Sequence, residues 1–437
     1  MITKMKKLSF LVLVAGMAAI AAQAPNSAWA QPFFTGAVNN DWNTGGNWSG
    51  GLVPSGGDFP DINANKHAIA SASTPVITGG IEFSSNNAQI TVTGAGTVMH
   101  SPTNQFWGRN NNATLTFNVL NSGAFTGSDA VLWQTGASNV TMNWNVNGGT
   151  FEPNALRESS NGNNREFLTL SNGGVVNSKY DNSIRTQQGS DSGRVFGTGT
   201  WNMSVGQAGR FDEGDILNAR LEGSGGTLYF NFPRNGSYLV DNNNGFPTLM
   251  NNGERAGLYA TGTSGRLKMS MPDLTGTSTA WGERRDDVTL DVVNSLRVTG
   301  AGLSQSQEVP IELVSLTLTA LPQLALLTNP IGAWNIGAGA QGVTGLQIRY
   351  DDNAAGVNEP NEKLLYYNGA SWAILPNQIL DIVNNRISAD TLLPAGQYAV
   401  ATGFEEPAGV PEPSTYALGL IGLAGLGLFA WRRRRLA

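Results

Sequence analysis

The stretch Val140-Thr141-Met142-Asn143-Trp144-Asn145-Val146 alternates apolar and polar side chains. Strict alternation is typical of a strand with one buried face, because successive side chains of a β-strand point to opposite sides of the sheet. The dipeptide Asn147-Gly148 follows directly, and Asn-Gly favours a tight turn. This stretch therefore predicts a half-buried strand that ends in a turn.

Similar runs recur along the chain between clusters of Asn, Gly and Ser, at residues 90–93, 113–119, 167–170, 201–205 and 227–230. Together with residue 140, their first residues are 23, 27, 27, 34 and 26 positions apart. A period in the twenties is typical of a β-solenoid, in which each coil buries its apolar face against the next coil. We expect a solenoid of roughly eight coils over residues 76–285. A twisted sandwich with long loops is the alternative.

The composition agrees with turn-rich β structure. Of 437 residues, 55 are Gly and 45 are Asn, and both residue types accept the left-handed backbone of tight turns. The chain has no Cys, which excludes disulfides and thiolate metal sites. Its only two histidines, His67 and His100, lie in no catalytic motif. These features favour an all-β fold and give little support for an enzyme.

The first thirty residues have the three parts of a secretory signal peptide. Lys4, Lys6 and Lys7 precede a mostly apolar run over residues 8–22, and Ala28-Trp29-Ala30 provides small residues at a cleavage position. The run of about fifteen residues is shorter than the roughly 20 that a membrane-spanning helix needs. We predict a signal peptide over residues 1–30, cleaved after Ala30.

The other end combines a Pro-rich linker, an apolar segment and a basic tail. The linker covers residues 403–415, the apolar segment residues 416–431, and the tail residues 432–437. As a helix the apolar segment is about 24 Å long, which is just enough to span if Trp431 lies at the interface and the arginines snorkel. The positive-inside rule places the tail in the cytoplasm. We therefore predict one short transmembrane helix.

This end closely resembles the PEP-CTERM sorting signal of exported bacterial proteins. The resemblance rests on Val410-Pro411-Glu412-Pro413, the glycine-punctuated apolar segment and the terminal arginines. It implies that an exosortase, a transpeptidase-like membrane enzyme, recognises Pro411, Glu412 and Pro413 and removes the tail. It further implies that Arg432, Arg433, Arg434 and Arg435 act as the cytoplasmic stop. An ordinary single-pass tail anchor is the alternative.

Residues 31–75 form a separate N-terminal segment with two tryptophans six positions apart, Trp42 and Trp48, among Gly-rich turns. This pattern resembles the capping segment of β-solenoid proteins on bacterial surfaces. The alternative is an aromatic platform for sugar rings, since tryptophan combines an apolar face with a polar edge. If exposed, Trp42 and Trp48 are candidate carbohydrate contacts.

Beyond residue 285 the predicted strands become longer and more apolar. They are residues 288–293, 311–319, 346–350, 363–367, 371–375, 386–390 and 397–401. Such a series predicts an antiparallel β-sandwich over residues 286–402. It resembles a module that lies between solenoid and anchor in bacterial surface proteins, and we expect it to cover the open edge of the solenoid.

Clusters of oxygen-bearing side chains are the remaining candidates for chemistry. Asp212-Glu213 with Asp215 and the run 283–287 could hold a carboxylate pair, while residues 241–245 and 351–353 could offer ligands to calcium. Solvated turns and surface ion pairs explain such clusters more simply. We therefore predict no catalytic residue, no metal site and no cofactor.

The charge of the exported part limits its partners. The chain has a net charge of −6, and leaving out the three lysines and four arginines of the two ends gives −13 for residues 31–431. An acidic body disfavours nucleic acid and anionic lipid as partners. It is compatible with neutral glycans, or with acidic polymers bridged by cations.

Together these features predict an exported structural or adhesive protein of the cell surface or extracellular matrix. The PEP-CTERM resemblance implies processing by an exosortase, transient membrane anchoring through the C-terminal helix, and association with exopolysaccharide or biofilm. The alternative from another class is an extracellular polysaccharide lyase or hydrolase built on the same β-helix.

Overall fold

The structure is a computed structural model. It describes residues 31–83, 86–102, 105–108, 110–127, 130–135, 139–153, 155–160, 165–178, 192–203, 219–231, 257–271, 278–281, 296–300, 309–337, 343–350, 357–390 and 394–405. The predicted signal peptide, Pro-Glu-Pro box, transmembrane helix and basic tail lie outside these residues. In the described part of the chain, strands dominate and the helices are short 3₁₀ turns at Gly45–Asn47, Pro322–Leu326 and Glu359–Asn361.

The first eighteen strands belong to a coiled, mainly parallel arrangement. They are β1 (Phe33–Phe34), β2 (Asp61–Ile62), β3 (His67–Ala70), β4 (Ile81–Phe83), β5 (Ala88–Thr93), β6 (Val98–Ser101), β7 (Gln105–Gly108), β8 (Thr114–Leu120), β9 (Ala124–Gly127), β10 (Ala130–Thr135), β11 (Thr141–Asn147), β12 (Thr150–Glu152), β13 (Ala155–Ser160), β14 (Arg165–Ser178), β15 (Ser192–Met203), β16 (Ala219–Asn231), β17 (Gly257–Thr261) and β18 (Arg266–Met271).

These strands form the three sides of a β-solenoid of about five turns. The first side stacks β1, β2, β4, β7, β10 and β13 in parallel. The second side stacks β3, β5, β8, β11 and the first halves of β14, β15 and β16, followed by β17. The third side stacks β6, β9, β12 and the second halves of β14 to β16, followed by β18. The predicted solenoid is confirmed, but with about five turns instead of the roughly eight coils expected from the sequence.

The solenoid core is a set of ladders in which residues of one register position stack from turn to turn. On the second side Ile90, Phe117, Trp144 and Leu168 are register partners, and all are buried. The Trp144 ring stacks on Phe151 of the third side, with centroids 5.4 Å apart. Each such aromatic pair adds about 0.5–1.5 kcal/mol beyond its burial. The inward-facing apolar side chains of each alternating stretch therefore pack one turn against the next.

Asparagines occupy the corners, as the composition predicts. Asn65, Asn87, Asn112 and Asn139 all have left-handed backbones, with φ between 56° and 61°. Their amides also stack along the solenoid. Asn87 Nδ2 donates to Asn65 Oδ1 at 3.0 Å, and Asn139 Nδ2 donates to Asn112 Oδ1 at 3.1 Å. Asn suits these corners because its short amide tolerates the left-handed region and satisfies a neighbouring amide.

The repeat is more regular than the predicted strand starts suggest. The runs at 90–93, 113–119 and 167–170 lie on the second side, whereas those at 201–205 and 227–230 fall on the third side as far as they are described. The 34-residue step therefore arises from a change of side. Side chains hydrogen-bonded between adjacent turns are mostly 22 to 28 residues apart in sequence.

The C-terminal strands form two antiparallel sheets. They are β19 (Ser278–Trp281), β20 (Leu296–Gly300), β21 (Val309–Val314), β22 (Leu327–Thr328), β23 (Gly332–Ile336), β24 (Val343–Arg349), β25 (Lys363–Tyr367), β26 (Trp372–Ile374), β27 (Gln378–Asp381), β28 (Arg386–Ala389), β29 (Gly396–Ala401) and β30 (Gly403–Phe404). One sheet continues the third side of the solenoid in the order β18, β21, β23, β29, β25, β26. The other has the order β19, β20, β24, β28, β27, and β22 pairs with β30.

The junction covers one edge of the solenoid. β21 pairs antiparallel with β18, and Arg266 Nη1 lies 2.9 Å from Glu312 Oε2 across it. Pairing therefore changes direction before residue 278, earlier than the predicted boundary between residues 285 and 286. At the other end β1 already pairs in parallel with β2 inside the predicted capping segment. Side-chain alternation is the same in parallel and antiparallel strands, so the sequence pattern could not place either boundary.

Candidate functional site

The two tryptophans of the N-terminal segment are core residues. Trp42 is 0% exposed and Trp48 is 2% exposed, and their rings meet edge to face with centroids 4.8 Å apart. Trp48 packs in the same way on Phe34 at 5.1 Å, and its Nε1 donates to the carbonyl oxygen of Trp42 at 2.8 Å. Neither ring presents a face to solvent on which a sugar could stack. The carbohydrate-contact hypothesis for Trp42 and Trp48 therefore does not hold in this structure.

Both histidines belong to polar rows on the outer surface of the solenoid. His67 Nε2 lies 2.8 Å from Thr91 Oγ1, and His100 Nδ1 lies 2.7 Å from Thr126 Oγ1. Partial burial lowers the pKa of His67 below its ordinary value. Each histidine is hydrogen-bonded to a threonine of the next turn, and this contact explains its position without a catalytic role.

The outer row that begins at Thr91 is uncharged over its first turns. Asn118 Nδ2 donates to Thr91 Oγ1 at 2.9 Å, and Asn145 Nδ2 donates to Asn118 Oδ1 at 2.8 Å. The next register position is Thr169. These amides and hydroxyls satisfy one another, so this part of the surface is a structural ladder.

Further along, the same outer row becomes charged and aromatic. It continues from Thr169 through Phe196 and Glu222 to Tyr259, while Arg194 and Arg220 are register partners in the adjacent row. We call Arg194, Phe196, Arg220, Glu222 and Tyr259 the arginine cluster. All five project from the outer face of the second side.

Both arginines of the cluster form ion pairs with the same carboxylate, that of Glu222. Arg194 Nη2 lies 2.6 Å and Arg220 Nε 2.8 Å from Glu222 Oε2, and Thr261 Oγ1 donates to Glu222 Oε1 at 2.8 Å. The Arg194 guanidinium carbon lies 4.6 Å from the centroid of the Phe196 ring. That of Arg220 lies 3.9 Å from the centroid of Tyr259. Each guanidinium is thus held by a carboxylate and by an aromatic face.

The carboxylate of the cluster is held in its charged form. Burial alone would raise the pKa of Glu222, but the hydrogen bonds from Arg220 and Thr261 and the charges of both arginines outweigh burial and lower the pKa. A carboxylate with a lowered pKa is a poor general acid. The arginine cluster is therefore suited to binding rather than to proton transfer.

A second glutamate lies inside the solenoid. Glu166 is 1% exposed, and its Oε1 accepts a hydrogen bond from Trp144 Nε1 at 2.7 Å. Its Oε2 has no hydrogen-bond partner among the described residues. Burial raises the pKa of Glu166 to about 8, and the Trp144 hydrogen bond opposes that rise. The carboxyl is therefore mainly neutral at pH 7, and its position in the core keeps it from any polymeric substrate.

The predicted oxygen clusters at residues 212–215, 241–245, 283–287 and 351–353 lie outside the described residues. Among the residues that are described, no group of three or more His, Cys, Asp and Glu side chains could hold a metal ion. Sequence reasoning missed the arginine cluster. Arg194-Val195-Phe196 and Arg220-Leu221-Glu222 stand one coil apart, and the correct period would have placed them side by side.

The predicted sorting residues, Pro411 to Pro413 and Arg432 to Arg435, also lie outside the described residues. In the described part of the chain, no helix is long and apolar enough to cross a membrane.

Comparison with protein families identifies the C-terminal segment. Residues 409–435 match the PEP-CTERM protein-sorting motif. A β-solenoid body followed by this motif defines the class, an extracellular protein that an exosortase sorts, with export and transient membrane anchoring as the motif generally implies. No curated protein matches the chain, and no solved structure matches it.

Proposed function

We propose that this protein is a structural or adhesive component of the exopolysaccharide matrix or biofilm at the surface of its cell. The observation that carries the proposal is the combination of the sorting motif at residues 409–435 with a continuous β-solenoid. The motif supports delivery to the outside. The solenoid supports a structural role because stacked coils form an extended and rigid surface.

The remaining parts of the chain fit this role. The signal peptide starts export, and the C-terminal helix holds the protein in the membrane until an exosortase acts at Pro411, Glu412 and Pro413. The two antiparallel sheets form a β-sandwich module that spaces the solenoid from this anchor. Mature protein then remains at the cell surface or in the matrix.

The proposed role is non-catalytic, in contrast to the lyase or hydrolase alternative. Glycoside hydrolysis needs two carboxyl groups about 5–10 Å apart, one of which has a raised pKa. Among the carboxyl groups described in the solenoid, those with a shifted pKa are Glu166, which is enclosed in the core, and Glu222, which is bound to two arginines and has a lowered pKa. These properties support binding without turnover.

One experiment separates the two functions. Protein recovered from its own cells is mixed with exopolysaccharide from the same cells, and co-sedimentation, viscosity and new reducing or unsaturated chain ends are followed together. We expect the protein to sediment with the polymer while the viscosity stays constant. Falling viscosity with new chain ends would show an enzyme and overturn the proposal.

Processing is tested on the same material by intact mass. We expect the mature protein to begin at Gln31 and to lack the arginine tail. A mass that still includes Ala437 in surface-exposed protein contradicts exosortase processing.

A further inference from the structure

The outer face of the second side changes character along the solenoid axis. Its first turns carry the neutral row of Thr91, Asn118 and Asn145, whereas its last strands carry the arginine cluster. Backbone pairing remains parallel through both regions. A regular scaffold therefore presents two chemically different surfaces, and only one of them offers charge.

The charge balance also differs along the same axis. Residues 31–153 contain six acidic and two basic residues, whereas residues 165–271 contain nine acidic and ten basic residues. Of the acidic residues in the second range that the structure describes, Glu166 faces the core and Glu222 lies within the arginine cluster. The cluster therefore lies in the less acidic part of a body whose net charge is negative.

The arginines of the cluster are oriented before any ligand arrives. Glu222 and the rings of Phe196 and Tyr259 hold the two guanidinium groups, and the Arg194 and Arg220 side chains remain 26% and 20% exposed. A guanidinium has five N–H donors in a planar fork that matches a carboxylate. Binding to such oriented groups loses less side-chain entropy than binding to mobile ones.

We propose that the arginine cluster is a binding site for an acidic polysaccharide, whose sugar carboxylates pair with Arg194 and Arg220. This inference rests on the proposed matrix function and names the class of glycan. Direct pairing through arginine replaces the cation bridges that the acidic net charge of the chain would otherwise require.

Spacing favours a linear polymer lying along the axis. Adjacent solenoid strands are about 4.8 Å apart, so the register partners Arg194 and Arg220 are neighbours at that spacing. Phe196 and Tyr259 lie in one row two strands apart, roughly 10 Å, which is about the length of a disaccharide. Arg165 is exposed on the preceding strand, two residues before Phe167, the register partner of Arg194, so it lies beside this row.

Charge density favours a polysaccharide over nucleic acid. Duplex DNA carries one charge per about 1.7 Å, and its binding needs many cations to neutralise the phosphates. A polymer with one carboxylate per sugar has a lower charge density, which a cluster of a few arginines can match. The net charge of −13 over residues 31–431 opposes the more highly charged partner.

The test measures binding of protein recovered from its own cells to polygalacturonate, with dextran as a neutral glycan and duplex DNA as a second polyanion, all in chelator. The main variant combines Arg194→Gln, Arg220→Gln and Glu222→Gln, which removes both cations without leaving a buried carboxylate unpaired. Lys66→Gln is the matched control, since it removes one cation from the early turns of the same scaffold, away from the arginine cluster. A second variant, Arg194→Lys with Arg220→Lys, keeps the charge and loses the planar fork.

We expect the native protein to bind polygalacturonate more tightly than dextran or DNA, and to bind it more weakly as salt rises from about 50 to 200 mM. The triple variant should lose at least tenfold in affinity with an unchanged circular dichroism spectrum. The lysine variant should lose severalfold, and Lys66→Gln should bind like the native protein.

Binding of polygalacturonate by a folded triple variant with native affinity would overturn the inference, as would a preference for DNA. A native protein that sediments with its own exopolysaccharide but binds no polygalacturonate refutes this site and leaves the matrix role intact. A native protein that binds neither polymer contradicts both the site and the proposed function.

Discussion

The early and late parts of the solenoid's second side share one backbone and differ on both faces. In the early part the inner row of Ile90, Phe117 and Trp144 is wholly apolar, and the outer row is neutral. In the late part a carboxyl group, Glu166, enters the core and charged and aromatic side chains cover the outside. Ladder hydrogen bonds and corner geometry thus maintain the coil, while the side chains on each face can vary with position.

β14 is where the two regions meet. Glu166 points inward, and its neighbour Phe167 is half-buried on the outer face, the reverse of what their polarity favours. Leu168 and Leu170 restore the usual pattern two and four positions later. The strand tolerates this inversion because Trp144 of the preceding turn donates a hydrogen bond to the buried carboxyl.

The largest effect is expected in the early core, from Trp144→Ala. The change removes an aromatic ring that stacks on Phe151 and also the indole donor to Glu166 Oε1, so neither carboxyl oxygen keeps a hydrogen-bond partner among the described residues. We expect a loss of about 3–5 kcal/mol in the free energy of unfolding, measured by denaturant titration. Asn143→Ala on the outer face of the same strand is the control and should cost below about 1 kcal/mol. Equal losses would show that the two faces contribute alike.

Stability should fall as the pH rises from about 4.5 to about 8, because of the buried carboxyl of Glu166 in β14. Below its ordinary pKa of 4.5 the carboxyl is protonated in both the folded and the unfolded chain, so its full contribution is present. As the pH rises from 4.5 to about 8, the unfolded chain releases this proton first and stability falls. By pH 7 the loss is about 3 kcal/mol.

Glu166→Gln should remove this slope and be more stable than the native protein near pH 8, as measured by thermal unfolding across the pH range. If the native protein and Glu166→Gln show the same pH profile, the buried carboxyl is not the titrating group.

The arginine cluster should have the opposite effect on stability, which should fall as the pH is lowered. The folded pKa of Glu222 is lowered, so its contribution is present above the ordinary value of 4.5 and is lost as the pH falls through the folded pKa. Glu222→Gln should lower the free energy of unfolding by about 1–2 kcal/mol at pH 7. It should also weaken the dependence of stability on pH in the acidic range. Asn118→Ala, at the matching register position of the early region, should leave that dependence unchanged. If the Glu222→Gln variant still loses stability as the pH falls, other carboxylates cause that loss.

The smallest effect on stability is expected at a corner, where both regions have residues with a left-handed backbone. Asn112 has φ of 59° and accepts a hydrogen bond from Asn139 Nδ2. Asn112→Ala should cost about 1 kcal/mol, because a Cβ with no polar group is strained in the left-handed region. Asn112→Gly should recover part of this loss, since glycine adopts that region freely. Melting temperatures of the two variants give the comparison, and an alanine variant as stable as the glycine variant would argue against left-handed strain.

Local sequence was sufficient for several features. Alternation at residues 140–146 predicted a strand and its buried face, and Met142, Trp144 and Val146 are indeed buried. Abundant Asn and Gly predicted tight corners, and Asn87 and Asn112 occupy them with left-handed backbones. Each of these features depends on a few adjacent residues, so a single stretch of chain carries the information.

Other features depended on which segments become neighbours. The sequence left two roles open for Trp42 and Trp48, and packing against Phe34 placed both rings in the core. By their spacing, residues 201 and 227 belong to the same series as residue 167, but β15 and β16 pass to the third side after Gly197 and Gly223, before these residues are reached. Alternation alone does not identify the side of a coil, because every side uses the same period of two.

By itself, the sequence determined the all-β class, the repeating coil, the turn chemistry and the PEP-CTERM motif at residues 409–435. Only the tertiary structure decided that Arg194 and Arg220 meet at Glu222, that Glu166 lies under Trp144, and that β21 covers the edge of β18. The physical reason is the range of the interactions. Turn preference and alternation act within a few residues, whereas the contacts of Arg194 with Glu222, of Trp144 with Glu166 and of β18 with β21 join residues 22 to 46 positions apart. Stacking register alone brings such residues together.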